Sequence, residues 1–193
     1  MMSNYTCNSY YQQRISHMVN KSLSEFKRLS VFRIDLRFPY NGIDYKNDPK
    51  VITRFFESLK RRIMVDVKNK SHLWGRNLRV NVDYVWVREV GPINQKTHYH
   101  VALLLNKDIY HGVGYYHQDN NLAALIINAW DSALGLFNTP QKGLVQFSSC
   151  HYLEQEKIGF EQAYINTMQA LSYLAKDYSK PYHDGYRCFG CSQ

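Results

Sequence analysis

The sequence predicts an α+β fold, an antiparallel sheet with helices packed on it. Three observations carry that prediction. "SVFRIDLRFP" sets Phe32, Ile34, Leu36 and Phe38 against Arg33, Asp35 and Arg37, a strand period stopped by proline. Val51, Phe55, Leu59 and Ile63 recur every four residues, the apolar stripe of a helix. "RNLRVNVDYVWVREV" and "HYHVALLLN", joined by the loop "GPINQKT", form a hairpin of two strands.

Element by element, residues 1–29 are polar, with basic and aromatic residues mixed, and separate as an arm with a helix around 10–28; residues 30–193 form the domain. The first strand covers Ser30 to Pro39. The first core helix opens at "DPK", with Asp48 as N-cap and Pro49 at the first helical position. After the hairpin, "DNNLAALIINAWDSALG" places Leu122, Leu125, Ile126, Ala129, Trp130 and Ala133 on one side of a helix that ends near Gly135. "GLVQFSSC" is a short strand. "GFEQAYINTMQALSYLAKDYSKP" is a last helix closed by Pro181, with Tyr164, Met168, Leu171, Ala175 and Tyr178 as its packing stripe. The order β-α-β-β-α-β-α matches in its first six elements the split βαβ, or ferredoxin-like, arrangement. That scaffold serves both nucleic-acid-binding modules and DNA-nicking enzymes, so fold alone does not choose between them.

A chain of 193 residues suits one well-cored domain. Its net charge of +8 points to a polyanionic partner, nucleic acid first. No run of 18 apolar residues predicts a membrane span, and the polar first 20 residues have no signal-peptide core. Four scattered cysteines, Cys7, Cys150, Cys188 and Cys191, do not make a disulfide framework, and a reducing bacterial cytoplasm is the expected location.

The chemistry gathers at "HYH". His98 and His100, two residues apart on a strand, point to the same face and offer two imidazoles to one divalent ion. An acidic oxygen donor suits Mg2+ or Mn2+, and Glu89, near the end of the preceding hairpin strand, is the candidate. A pairing with index sum 189 sets Glu89 opposite His100, whereas a sum of 188 sets Arg88 there, and sequence leaves the register open. On the last helix Tyr173 falls opposite the packing stripe, with Lys176 three residues on. A tyrosine oxygen can attack a phosphodiester and stay joined to the 5′ phosphate, while a nearby ammonium steadies the developing charge.

"HYH" and "YLAK" resemble the histidine–hydrophobic–histidine and Tyr-x-x-Lys motifs of HUH endonucleases, the rolling-circle replication initiators and relaxases. With "FRIDLRFP", "VWVRE", "THYHVALLLNKDIY", "GLVQF", "LSYLAKDYSK" and "RCFGCSQ", residues 30–191 are similar to the inovirus-type (filamentous phage) replication protein family. The resemblance implies an HUH-endonuclease core with His98, His100 and Glu89 as metal ligands, Tyr173 as nucleophile and Lys176 as its partner. It places Asp35 near the site, with Tyr178 as a further near-site candidate. Tyr178 is five residues from Tyr173, not the four of two-tyrosine initiators, which implies a single-tyrosine enzyme. The activity implied is nicking and rejoining of single-stranded DNA at a replication origin of a phage or integrated mobile element, with a host polymerase and a helicase as further partners. Arg33, Arg37, Lys60, Arg61 and Arg62 are the candidate DNA contacts. The rival readings are a non-catalytic nucleic-acid-binding module and an idle regulator on the same fold. "CFGC" reads as tail packing, with structural zinc as the alternative, and "GVGYY" between His111 and His117 reads as a glycine-rich turn.

Overall fold

A computed structural model describes residues 6–39, 48–91, 96–116, 118–136 and 141–193. Its strands are β1 (Arg28–Arg37), β2 (Asp83–Val90), β3 (Thr97–Asn106), β4 (Val145–Glu154) and β5 (Phe189–Cys191). Its helices are α1 (Ser9–Glu25), α2 (Val51–Trp74), α3 (Leu122–Leu134) and α4 (Phe160–Ser172), and a 3-10 turn follows at Tyr173–Ala175. The protein is α+β: one five-stranded sheet in the order β4–β1–β3–β2–β5, every neighbouring pair antiparallel, with helices on it. β3 lies between β1 and β2, so those two strands run parallel without touching, and α2 makes the crossover between them.

Strand alternation sorts the core into two layers. Phe32, Ile34 and Leu36 of β1 and Tyr99, Val101, Leu103 and Leu105 of β3 face α2 and α3, meeting Val51, Phe55, Leu59, Ile63, Ile126 and Trp130. Each such large apolar side chain contributes roughly 1.5–3 kcal/mol on burial. Trp130 also donates its indole N–H to the carbonyl of Arg37 at 2.8 Å, pinning the end of β1. The other face carries Val31, Val85, Val87, Ala102 and Leu104, covered by α1, α4 and the 3-10 turn through Ile15, Met18, Val19, Leu23, Leu171 and Leu174.

Several elements differ from their sequence expectation. Patterning sets residues 1–29 apart, whereas α1 is packed on the sheet; its apolar positions are few but fall on one side, and Lys21 and Ser22 bond the buried Asp83 at 3.1 and 2.9 Å. Asp48 accepts the Lys50 N–H, but the helix begins at Val51 with Lys50 as cap, so Pro49 lies outside it. The second strand begins only at Asp83, and β4 runs on to Glu154. β5 has no counterpart in the reading of "CFGC"; it adds to the edge of β2, and Gly190 lets the backbone lie on Trp86, whose ring stands 2.6 Å from where a Cβ would be.

The largest difference is at the last helix. α4 stops at Ser172 rather than running to Pro181. After the 3-10 turn the chain is extended at Lys176, with φ −60° and ψ 141°. Tyr178 therefore leaves the packing stripe and is 66% exposed, while Leu171 and Ala175 stay buried.

Candidate metal centre and tyrosine site

The hairpin register pairs Glu89 with His98 and Val87 with His100, an index sum of 187, one step from the alignment that sets Arg88 opposite His100 and two steps from the one that sets Glu89 there. The pairing still joins odd to even positions, so Glu89, His98 and His100 share a face. β1 pairs Asp35 with His100 from the other side. Ligand atoms of Glu89, His98 and His100 all lie within 4.8 Å of one another, the one such group of three among the described residues.

Each imidazole is oriented through Nδ1. His100 Nδ1 donates to Asp35 Oδ1 at 2.6 Å, and His98 Nδ1 donates to the Lys96 carbonyl at 3.2 Å. Both Nε2 atoms therefore turn inward, 3.2 Å apart. At that distance the two nitrogens can share a proton or a metal ion. Two imidazole nitrogens about 2.1 Å from one ion stand roughly 3.0–3.4 Å apart, so the spacing fits a divalent ion. Glu89 Oε2 lies 3.5 Å from His100 Nε2, on the same side. The donor set, two nitrogens and a carboxylate oxygen, suits Mn2+ as well as harder ions.

The charges of these side chains are shifted by their surroundings. Burial pushes His100 down, but its bonds to Asp35 and Glu89 prevail and raise it; burial and the charge of His100 lower His98. Burial pushes Glu89 up, yet the bond with His100, the Lys180 charge and the Ser179 hydroxyl hold it well below the usual carboxylate range. Glu89 is 1% exposed and fully engaged: Lys180 Nζ donates to Oε1 at 2.9 Å, Ser179 Oγ donates to Oε2 at 2.7 Å, and Lys176 Nζ stands 3.0 Å from Oε2. Asp35 also accepts from Ser148 Oγ at 3.1 Å; despite its burial, these bonds and the charge of His100 lower its pKa.

Tyr173 lies beside this centre. Its ring meets His100 edge-on at 5.6 Å between centroids, with Lys176 Nζ 3.6 Å and Arg33 Cζ 5.1 Å from the ring centre. Burial would lower Lys176, but its contacts with Tyr173 and Glu89 keep it raised and charged. Arg33 reaches the Ala170 carbonyl through Nη1 at 3.4 Å, and its buried Nε has no hydrogen-bond partner among the described residues. Tyr178 flanks Lys176 from the other side, its hydroxyl 3.4 Å from Nζ.

The structure thus brings together His98, His100, Glu89, Asp35, Tyr173, Lys176, Tyr178 and Arg33. Arg37 stands on the exposed continuation of the same strand, bonded to Gln146 at 2.6 Å. Lys60, Arg61 and Arg62 are elsewhere, on α2 across the sheet, with Lys60 over the Tyr84 ring and Arg62 on Ser58. Sequence reasoning missed Lys180 and Ser179, although Lys180 stands four residues after Lys176 in the "KDYSK" it had singled out. It also missed Thr6–Asn8, which bridge to the site segment: Asn8 N–H donates to the Ala175 carbonyl at 2.7 Å, and Asp177 N–H donates to the Thr6 carbonyl at 3.0 Å. The GVGYY turn brings His111 onto Tyr152, with 4.7 Å between ring centres; His117 falls outside the described residues.

The family model of the YagK/YfjJ C-terminal domain matches residues 1–192. The chain belongs to that family. Two Escherichia coli K12 relatives are similar along nearly their whole length. "Uncharacterized protein YagK" is 37% identical over 192 residues, covering 95% of this chain and 92% of the relative. "Uncharacterized protein YfjJ" is 32% identical over 197 residues, covering 96% and 94%. No solved structure matches. No helix among the described residues is long and apolar enough to cross a membrane.

Proposed function

We propose that this member of the YagK/YfjJ C-terminal domain family is a metal-dependent, sequence-specific nickase and ligase of single-stranded DNA, of the HUH class, acting at the origin of a phage or integrated element. The observation that carries the reading is the placement of Tyr173 against His100 and Lys176, beside the converging Nε2 atoms of His98 and His100. The strand order β4–β1–β3–β2, with α2 and α3 as crossovers, supports a ferredoxin-like HUH core.

His98, His100 and Glu89 would hold the divalent ion, with Asp35 fixing the tautomer of His100. When bound, that ion supplies Lewis-acid polarisation of the scissile phosphate. Tyr173 Oη forms a bond to phosphorus as the bond from phosphorus to the 3′ oxygen breaks. The phenol proton passes to solvent, and the departing 3′ oxygen takes up a proton to become the free hydroxyl that a host polymerase extends. Lys176 stays protonated and lowers the cost of the phenolate charge; it is an electrostatic partner rather than a base. The Arg33 guanidinium, 5.1 Å from the Tyr173 ring centre, would add positive charge beside the reacting phosphate. Attack of a 3′ hydroxyl on the phosphotyrosine reverses the step and rejoins the strand.

The test is a denaturing gel of the protein with Mn2+ and a pool of single-stranded oligonucleotides. The expected result is a slow, nuclease-sensitive adduct that disappears in Tyr173→Phe and persists in Tyr178→Phe. Tight DNA binding with no adduct on any sequence would reject nicking and leave a binding module.

A further inference from the structure

Glu89 has more claimants than a metal ligand needs. Its Oε2, the oxygen nearer His100, stands 3.0 Å from Lys176 Nζ and 3.5 Å from His100 Nε2, while Lys180 holds Oε1 at 2.9 Å. Glu89, Lys176 and Lys180 are all buried, with side chains 1%, 3% and 0% exposed, so solvent screens these charges little. Lys180 Nζ is fixed a second time by the Lys176 carbonyl at 2.7 Å, whereas Lys176 Nζ also reaches the Tyr173 ring at 3.6 Å and the Tyr178 hydroxyl at 3.4 Å. Lys180 is therefore anchored, and Lys176 stands between two sets of partners.

The local charge balance points the same way. Asp35 and Glu89 face three cationic side chains, Arg33, Lys176 and Lys180. A divalent ion entering this centre adds to a surplus of positive charge. A phosphate at Tyr173 removes part of that surplus and offers Lys176 an anion other than Glu89.

We propose that Lys176 and the divalent cation compete for Glu89 Oε2, so that metal and DNA phosphate strengthen each other's binding at this site. The inference rests on the metal-centre reading above. With DNA absent, Lys176 neutralises Glu89 and holds metal affinity down. With a phosphate seated at Tyr173, Lys176 is drawn to it, and Glu89 turns to the metal. By linkage, the ion then favours DNA by the same factor that DNA favours the ion.

The experiment is isothermal titration calorimetry of Mn2+ into the full chain without DNA, for the wild type, Lys176→Met, Lys180→Met and His98→Ala. Lys176→Met is expected to bind Mn2+ at least tenfold more tightly than the wild type, because it removes the cation at Oε2 and leaves there only the neutral Ser179 hydroxyl, which can stay bonded beside a metal ion. Lys180→Met, which leaves Oε2 contested, is expected to gain less. A damaged fold lowers affinity, so a gain cannot come from misfolding. Mn2+ binding by the wild type that is lost in His98→Ala, together with no gain in Lys176→Met, would overturn the competition while sparing the metal centre. No binding to any of the four proteins would overturn both.

Discussion

Asp35 shows how one residue sets the geometry of another. It stands opposite His100 in the β1–β3 pairing and accepts its Nδ1–H at 2.6 Å, while Ser148 Oγ steadies its second oxygen. That contact leaves His100 Nε2 free to meet His98 Nε2. Asp35→Asn keeps the size but loses the charge, and its amide can turn a donor toward His100. The expected result is roughly a ten- to hundredfold loss of Mn2+ affinity by calorimetry, with the melting temperature little changed; unchanged affinity would refute the orienting role. At this scale much of the site was legible. The two-residue spacing of His98 and His100 gives a shared face in any strand, and Glu89 joins it in every register of the right parity. Lys180 and Ser179 were not legible, because their approach to Glu89 depends on where the last helix ends, and no side-chain period encodes that.

Where that helix ends is decided by an element far away in the chain. The pattern from Tyr164 to Tyr178 keeps helical spacing past Ser172, and a reading from periodicity carries the helix on. Two tertiary contacts stop it instead: Thr6–Asn8 bridges to Ala175–Asp177 in antiparallel fashion, and Lys180 turns in to Glu89. The strands and the amphipathic helices α2 and α3 were legible for the opposite reason, since their periods are satisfied by the sheet they cover. β5 is three residues long and too short to show a period at all. The Thr6–Asn8 bridge gives the segment that leads into α1 a role in positioning Tyr173. Deleting residues 1–7 removes the Thr6 acceptor and the Cys7–Lys176 bridge, while the Asn8 cap of α1 remains. Adduct formation should then slow by at least tenfold, with oligonucleotide affinity within about threefold of wild type by fluorescence anisotropy. Parallel losses of both would mean that the segment only stabilises the fold.

Charge is distributed unevenly over the whole molecule. Residues 50–79 hold nine lysines and arginines and two carboxylates, so seven of the eight net positive charges lie in α2 and the turn after it. α2 packs against the sheet face opposite the one that carries Asp35, His98 and His100. Its 24 residues span roughly 36 Å, comparable to one turn of duplex DNA. Arg61 and Lys68, seven residues apart on the exposed side, make no ion pair among the described residues. On the proposed reading, the enzyme works on an unpaired segment bounded by duplex, and the remote face would let a flanking duplex meet positive charge without competing for the site. Each lysine or arginine contact to a phosphate releases counterions and steepens the fall of affinity with salt. Arg61→Glu with Lys68→Glu should therefore weaken binding to an oligonucleotide carrying a duplex arm by at least tenfold at 0.1 M salt. The slope of log affinity against log salt should become shallower by about two. Cleavage of a short single strand that contacts only the Tyr173 face should change by less than threefold. An equal loss on both substrates would mean that α2 acts through the general field of the protein, and an unchanged slope would show that its charges merely face solvent.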